Sequence, residues 1–266
     1  GKSGGLETYN STSNLEDAAT VFKFGADNTS VEWKLDIYND KGDKTAIIGT
    51  SGREDSVFSD KQSELNVKGD KVIDMHSHPY NAHASGQDMK NLKIKTGAVY
   101  HRDSKVLFFY NSENPRIGNN EYKIDTSKTL LDKLNDKLKE RNEQIMKELP
   151  TFIRTYNNTL KQSKDFLKFA INYREIAKPN FHYDLDVLIT DLKTMDEESA
   201  LNRFANRINI SHLTQFTNAV IANSKGSDQS VYFQQLNHDM NMLAIENVKR
   251  EIDKRPDKVK PMTMLV

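Results

Sequence analysis

The stretch VIDMHSHPYNAHASGQDMKNL, residues 72–92, carries the reading of the first half of the chain. Val72 to Met75 is an apolar run of strand character, and in a strand side chains two apart share a face. His76 and His78 therefore point the same way. Pro79 ends the run, and a turn-rich loop brings back a carboxylate, Asp88, ten residues after His78. Ser85, three residues ahead of it, stands where a helix N-cap is expected. Two imidazoles and a carboxylate at this spacing predict a three-ligand metal site. The chain has no cysteine, so any metal must be held by nitrogen and oxygen.

Working outward, residues up to about 125 show short apolar runs broken by turns: VFKF (21–24), SVEWKLDIY (30–38), TAIIGT (45–50), KVIDM (71–75), GAVYH (97–101) and KVLFFY (105–110). They are rich in β-branched and aromatic residues and read as strands. Residues 39–42, 68–70 and 102–104 read as hairpin turns. Leu15 to Thr20 and Gln87 to Lys93 read as short helices capped by Asn14 and Ser85. The expected fold class is α+β with a mostly antiparallel sheet, followed by an all-α helical bundle. Residues 1–13 read as a tail or cut point, 14–125 as the first domain and 126–266 as the second.

The second half is helical by its periodicity. Leu130, Leu131, Leu134 and Leu138 recur at three-to-four spacing behind Thr126-Ser127, and further amphipathic segments follow at 149–177, 184–194, 199–208, 211–226 and 230–254. His182, His212 and His238 are scattered, and no phosphate-binding glycine loop is present.

Composition narrows the function. Thirty-eight basic and 38 acidic residues leave no net field to attract a polyanion, which argues against a nucleic-acid or anionic-membrane binder. No apolar run reaches the roughly eighteen residues of a membrane span, and the start lacks a signal-peptide core. A soluble, cytoplasmic chain is expected.

Glu32 at the head of VEWKLDIY, then His76-Ser77-His78-Pro79, Ser85 and Asp88, resembles the JAMM (MPN+) metalloprotease family over residues 14–125. The segments Ser30 to Trp33 and Ser85 to Met89 look closest to the JAB-like domains of bacterial polymorphic toxins. The resemblance implies Zn2+ held by His76, His78 and Asp88, Glu32 as general base and Ser85 as stabiliser of the tetrahedral intermediate. Six residues, Pro79 to Ala84, separate His78 from Ser85, one fewer than the family's usual spacing. Glu54 and Glu64 rank below Glu32 as bases because both lie in the polar loop 51–69, which could flank a substrate groove. His83 reads as a solvated loop residue.

Residues 126–266 are similar to the cytoplasmic domain of the type II secretion F family, which includes TadC-like platform proteins. The likeness rests on Glu148 to Arg154, Glu197 to Phe204, Phe216 to Ile221 and Val259 to Met262. It implies secretion or pilus assembly components as partners at the cytoplasmic face of the inner membrane, with a membrane helix only if the chain continues past Val266. Two functions follow from the sequence. One is a zinc-dependent amide hydrolase acting on a protein or peptide, deployed as a processing protease or a secreted toxin. The other is a non-catalytic platform protein carried by the helical half.

Overall fold

The computed structural model describes residues 7–118, 121–160 and 162–253. They form two compact units, one of residues up to 142 with 203–209, the other of 143–202 with the residues from 210 onward.

The first unit is built on a seven-stranded sheet of order β1-β3-β2-β4-β5-β6-β7. The strands are β1 (Thr8–Thr12), β2 (Trp33–Asp40), β3 (Asp43–Thr50), β4 (Asp70–His78), β5 (Gly97–His101), β6 (Val106–Tyr110) and β7 (Tyr122–Lys123). All neighbours are antiparallel except β4 and β5, which pair in parallel. A parallel pair needs a crossover. Residues 79–96 supply it, and the short helix α2 (Gly86–Asn91) lies within it.

Side chains alternate between the two faces. Leu35 and Ile37 of β2, Ile73 and Met75 of β4, Ala98 and Tyr100 of β5, and Leu107 and Phe109 of β6 share one core. Helix α1 (Leu15–Asn28) covers it with Ala18, Phe22 and Ala26, and Leu130 and Leu134 of α3 (Ser127–Thr159) join them. Gly25 lets the helix approach closely, because a Cβ there would lie 2.2 Å from Cε2 of Trp33. The opposite face carries Lys34, Asp36 and Tyr38 on β2 and Asp74, His76 and His78 on β4. Loop 51–69 covers part of it through Phe58 against Tyr38 and Ile47. Ala84, Met89 and Leu92 cover another part against Val99 and Tyr110.

A bulge shapes this face. Ile37 pairs with Ile73 but Tyr38 pairs with Lys71, so Val72 has no partner on β2. The extra residue resets the pleat, and Lys71 joins Asp74 on one side of the sheet, their charged ends 3.4 Å apart. Lys71 also pairs with Asp36 at 2.7 Å and with Asp60 of the loop at 3.1 Å. Tyr38 donates to Asp60 at 2.8 Å.

The second unit contains the later part of α3, then α4 (Phe166–Ile176), α5 (Pro179–Thr194), part of α6 (Glu197–Ile208), α7 (Ser211–Ser224) and α8 (Ser230–Asp253). Its centre is aromatic. Phe152 lies within 5.2–5.4 Å of Phe169, Phe181 and Phe216, and Tyr156 lies 5.3 Å from Phe233. Glu148, also buried, accepts from the Tyr173 hydroxyl at 3.2 Å and the Lys178 amide at 2.9 Å. No helix among the described residues is long and apolar enough to cross a membrane.

The α+β sheet with helices after it is as the sequence predicts. Several local expectations are corrected. Residues 8–12 are an edge strand rather than part of a tail; TYNST is too polar to announce a strand, and pairing with β3 places it. VFKF is helical, within α1, because Ala18, Phe22 and Ala26 form one buried helical stripe while Phe24 stays exposed. Residues 68–70 are not a hairpin turn, since β4 pairs with β2 and β5, not with β3. The compact units divide inside α3, at 142/143, rather than at 125. Pro150 does not interrupt α3. The ring removes one backbone donor, and the burial of Leu149, Phe152 and Ile153 around it offsets that loss.

Candidate metal centre

The three predicted ligands meet. His76 and His78 project from the end of β4, and their Nε2 atoms are 3.0 Å apart. Asp88 lies with one oxygen 3.3 Å from Nε2 of His76 and the other 3.4 Å from Nε2 of His78. Among the described residues these three are the one group whose ligand atoms converge in this way, all within 4.8 Å of one another.

Local structure explains the convergence. Ser85 N-caps α2, its hydroxyl accepting from the Asp88 amide at 3.1 Å while the Asp88 carboxylate accepts from the Ser85 amide at 2.7 Å. This reciprocal capping box fixes the Asp88 side chain at the first turn of the helix. His78 is oriented from behind, with Nδ1 3.1 Å from the Asn81 carbonyl. A carbonyl accepts only, so Nδ1 carries the proton and Nε2 is left with its lone pair when the ring is neutral.

Electrostatics agree with this geometry. Burial opposes the Asp88 carboxylate, but bonds from His76, His78 and Ser85 prevail and hold its pKa far below the usual carboxylate range. Burial likewise opposes protonation of His78, yet Asp88 and Glu32 raise its pKa. His78 and Asp88 thus both favour a positive charge between them. Two imidazole nitrogens and a carboxylate oxygen, all within 4.8 Å of one another, are ligand types that zinc takes. The donor set, nitrogen and oxygen without sulfur, suits a divalent cation of this kind.

Glu32 immediately precedes β2 and is buried at 7% exposure. Its carboxylate lies 3.7 Å from Nε2 of His78. The segment is pinned three ways: the Glu32 amide donates to Arg53 O at 2.8 Å, Thr50 Oγ1 donates to the Glu32 carbonyl at 2.7 Å, and the Trp33 amide donates to Ser77 Oγ at 2.9 Å. Burial, with the Asp88 and Asp55 charges added and His78 opposing, pushes the Glu32 pKa up to about 7.

Ser85 is exposed and lines the same groove. This groove has a volume of about 1020 Å³ and is lined by residues 52–56 and 79–81 together with Glu32, His78 and Asp88. Loop 51–69 therefore does flank a groove, through its first residues. Glu54 lies on the lip, while Glu64 is occupied elsewhere by Tyr9 at 2.5 Å and Lys61 at 3.1 Å. His83 does not join the ligands; its ring packs 4.9 Å from Phe108. In the helical unit His182 is satisfied by the Ala177 carbonyl at 2.7 Å. The sequence reading did not anticipate Arg53, Asp55 or the Asn81 carbonyl. The first two are loop residues of unremarkable type, and a backbone acceptor leaves no mark in a sequence.

No curated protein and no solved structure matches the chain. No match supports the likeness of 126–266 to the secretion family, and Val259 to Met262 of that likeness lie outside the described residues. Residues 10–102, which contain Glu32, both histidines, Ser85 and Asp88, match the family model of JAB-like toxin 1 and are similar to that family.

Proposed function

We propose that the first unit is a zinc-dependent amide-bond hydrolase of JAMM type, acting on a protein or peptide as a toxin or processing enzyme. The convergence of His76, His78 and Asp88 beside a buried Glu32, inside the stretch similar to JAB-like toxins, carries this reading. His76 Nε2, His78 Nε2 and the Asp88 carboxylate would hold the ion. Zinc supplies Lewis acidity that polarises a carbonyl and acidifies water near neutral pH.

The remaining work falls to the chain. Glu32, whose pKa burial raises in the metal-free protein, takes a proton from the attacking water and returns one to the amine nitrogen as the C–N bond breaks. Its burial keeps competing water away from the carboxylate. Ser85, whose hydroxyl accepts at the α2 cap and also bonds the Asp88 carboxylate, would turn its O–H to the developing oxyanion. Asn81 holds the His78 ring in one orientation through Nδ1.

The test is Glu32→Gln. The variant should bind about one zinc per chain, as the wild type does, and lose hydrolysis by about 10²–10⁴-fold. Undiminished cleavage would move the base to another residue. A wild type that takes up no metal after zinc-replete expression would remove the reading altogether.

A further inference from the structure

The groove that reaches the three-ligand centre has an unequal charge balance. Its lining carries four carboxylates, Glu32, Glu54, Asp55 and Asp88, against the single guanidinium of Arg53. Two of the four have duties at the three-ligand centre. Asp88 is bound to both histidines, and Glu32 sits beside His78. Glu54 and Asp55 remain on the exposed lip, and neither has an ion pair with a cation among the described residues.

Both carboxylates line the same groove as Glu32 and His78. The Glu32 amide is bonded to the carbonyl of Arg53, which fixes the lip beside Glu32. Asp55 is near enough for its charge to act on the Glu32 carboxyl. The lip is also braced further along, where the Ser51 hydroxyl donates to the Ser56 carbonyl and Phe58 is buried against Tyr38. A divalent ion would be neutralised largely by Asp88 and Glu32, leaving the lip with a net negative charge to be met by whatever lies in the groove. Pro79 and Tyr80 also line the groove, with the Arg102 guanidinium 5.5 Å from the centre of the Tyr80 ring. An open cleft of about 1020 Å³ admits several residues of extended chain but has no deep apolar pocket for a large side chain.

We propose that the groove selects polypeptide substrates with a lysine or arginine flanking the scissile amide, and that Glu54 and Asp55 are the residues that recognise it. This rests on the hydrolase reading of the same site. The ammonium or guanidinium would meet the two lip carboxylates, its aliphatic stem lying along the groove wall. Two such contacts in a half-open groove correspond to about a tenfold preference over an uncharged residue.

The experiment uses the zinc-loaded full chain and a pool of degenerate dodecapeptides, with cleavage sites read by mass spectrometry. Lysine and arginine should be enriched about tenfold beside the cut. In Glu54→Gln/Asp55→Asn the enrichment should vanish, and in Glu54→Lys/Asp55→Lys it should turn towards aspartate and glutamate, a reversal that a misfolded loop would not produce. In parallel, acetyl-Gly-Arg-Gly-amide and acetyl-Gly-Gln-Gly-amide are titrated against Glu32→Gln while the Ser56 and Asn81 amides are followed by NMR. Cleavage without basic enrichment, or enrichment that both double variants retain, overturns the proposal and leaves the hydrolase reading standing. No cleavage, but arginine-selective binding that requires Glu54 and Asp55, refutes the hydrolase reading and supports the groove preference. Neither cleavage nor selective binding overturns both.

Discussion

Removing the Asp88 carboxylate is the most direct perturbation of the three-ligand centre. Structural zinc sites with four ligands contribute about 10–16 kcal/mol of binding, or roughly 3–4 kcal/mol per ligand. Asp88→Ala should therefore weaken zinc binding by about 10²–10³-fold. The effect is readable as a metal-induced shift in melting temperature. At free zinc about a hundredfold above the wild-type dissociation constant, the wild type gains about 2.7 kcal/mol. For a unit of this size that is roughly 5–10 °C. The variant at the same zinc concentration sits at or below its own dissociation constant and gains less than about 0.4 kcal/mol, or about 1 °C. Each protein is compared with its own chelated form, because the mutation also removes the partner that raises the His78 pKa and opens half of the α2 capping box. Differential scanning fluorimetry with and without zinc makes the comparison. Equal zinc-induced shifts in the two proteins would refute the assignment of Asp88 as a ligand.

Three further outcomes are expected. Glu32 acts as a base only when ionised, so kcat/KM should fall as pH drops through a value at or below about 7, since a bound cation lowers the Glu32 pKa from its metal-free position; a flat profile across pH 5–8 would show that another group takes the proton. Lys71→Met leaves Asp36 buried, with Lys34 at 3.5 Å as the remaining cation, and should cost about 3–5 kcal/mol in urea unfolding. Burial holds the Asp36 pKa up at about 6 and losing Lys71 raises it further, so the penalty is present while Asp36 is ionised at pH 8 and shrinks as pH falls to 5; equal penalties at both pH values would refute the account. Gly25→Ala should destabilise by about 1–3 kcal/mol despite alanine's better helix propensity, because the new methyl meets the Trp33 indole; a neutral or stabilising result would mean the ring moves aside freely.

The site was more legible than its surroundings. His76 and His78 follow from strand alternation, and Asp88 follows from the Ser85 cap, since both rules act over a few residues. Glu32 needed the resemblance, because a carboxylate at a strand start has no local signature. Lys34 and Asp36 alternate with apolar residues in WKLDIY, a pattern usual for the solvent face of an antiparallel strand. Asp36 is instead 1% exposed, since Lys34, Lys71 and the covering loop compensate one another's charge. That neutralisation is tertiary, and so is the placement of polar β1. Glu54 and Asp55 gained meaning only when the loop after β3 was seen beside Glu32.

The unpaired Val72 gives β4 a point at which parity is reset. From Ile73 to His78, facing is decided by counting odd and even against β2. One residue inserted there would turn Asp74 and His76 into the core and Ile73 and Met75 towards the candidate site, so site and core would fail together. Before Val72 the count starts afresh. Length changes in loop 51–69 therefore cannot reach the histidines by shifting register, which leaves the groove lip free to vary while the ligands stay in place.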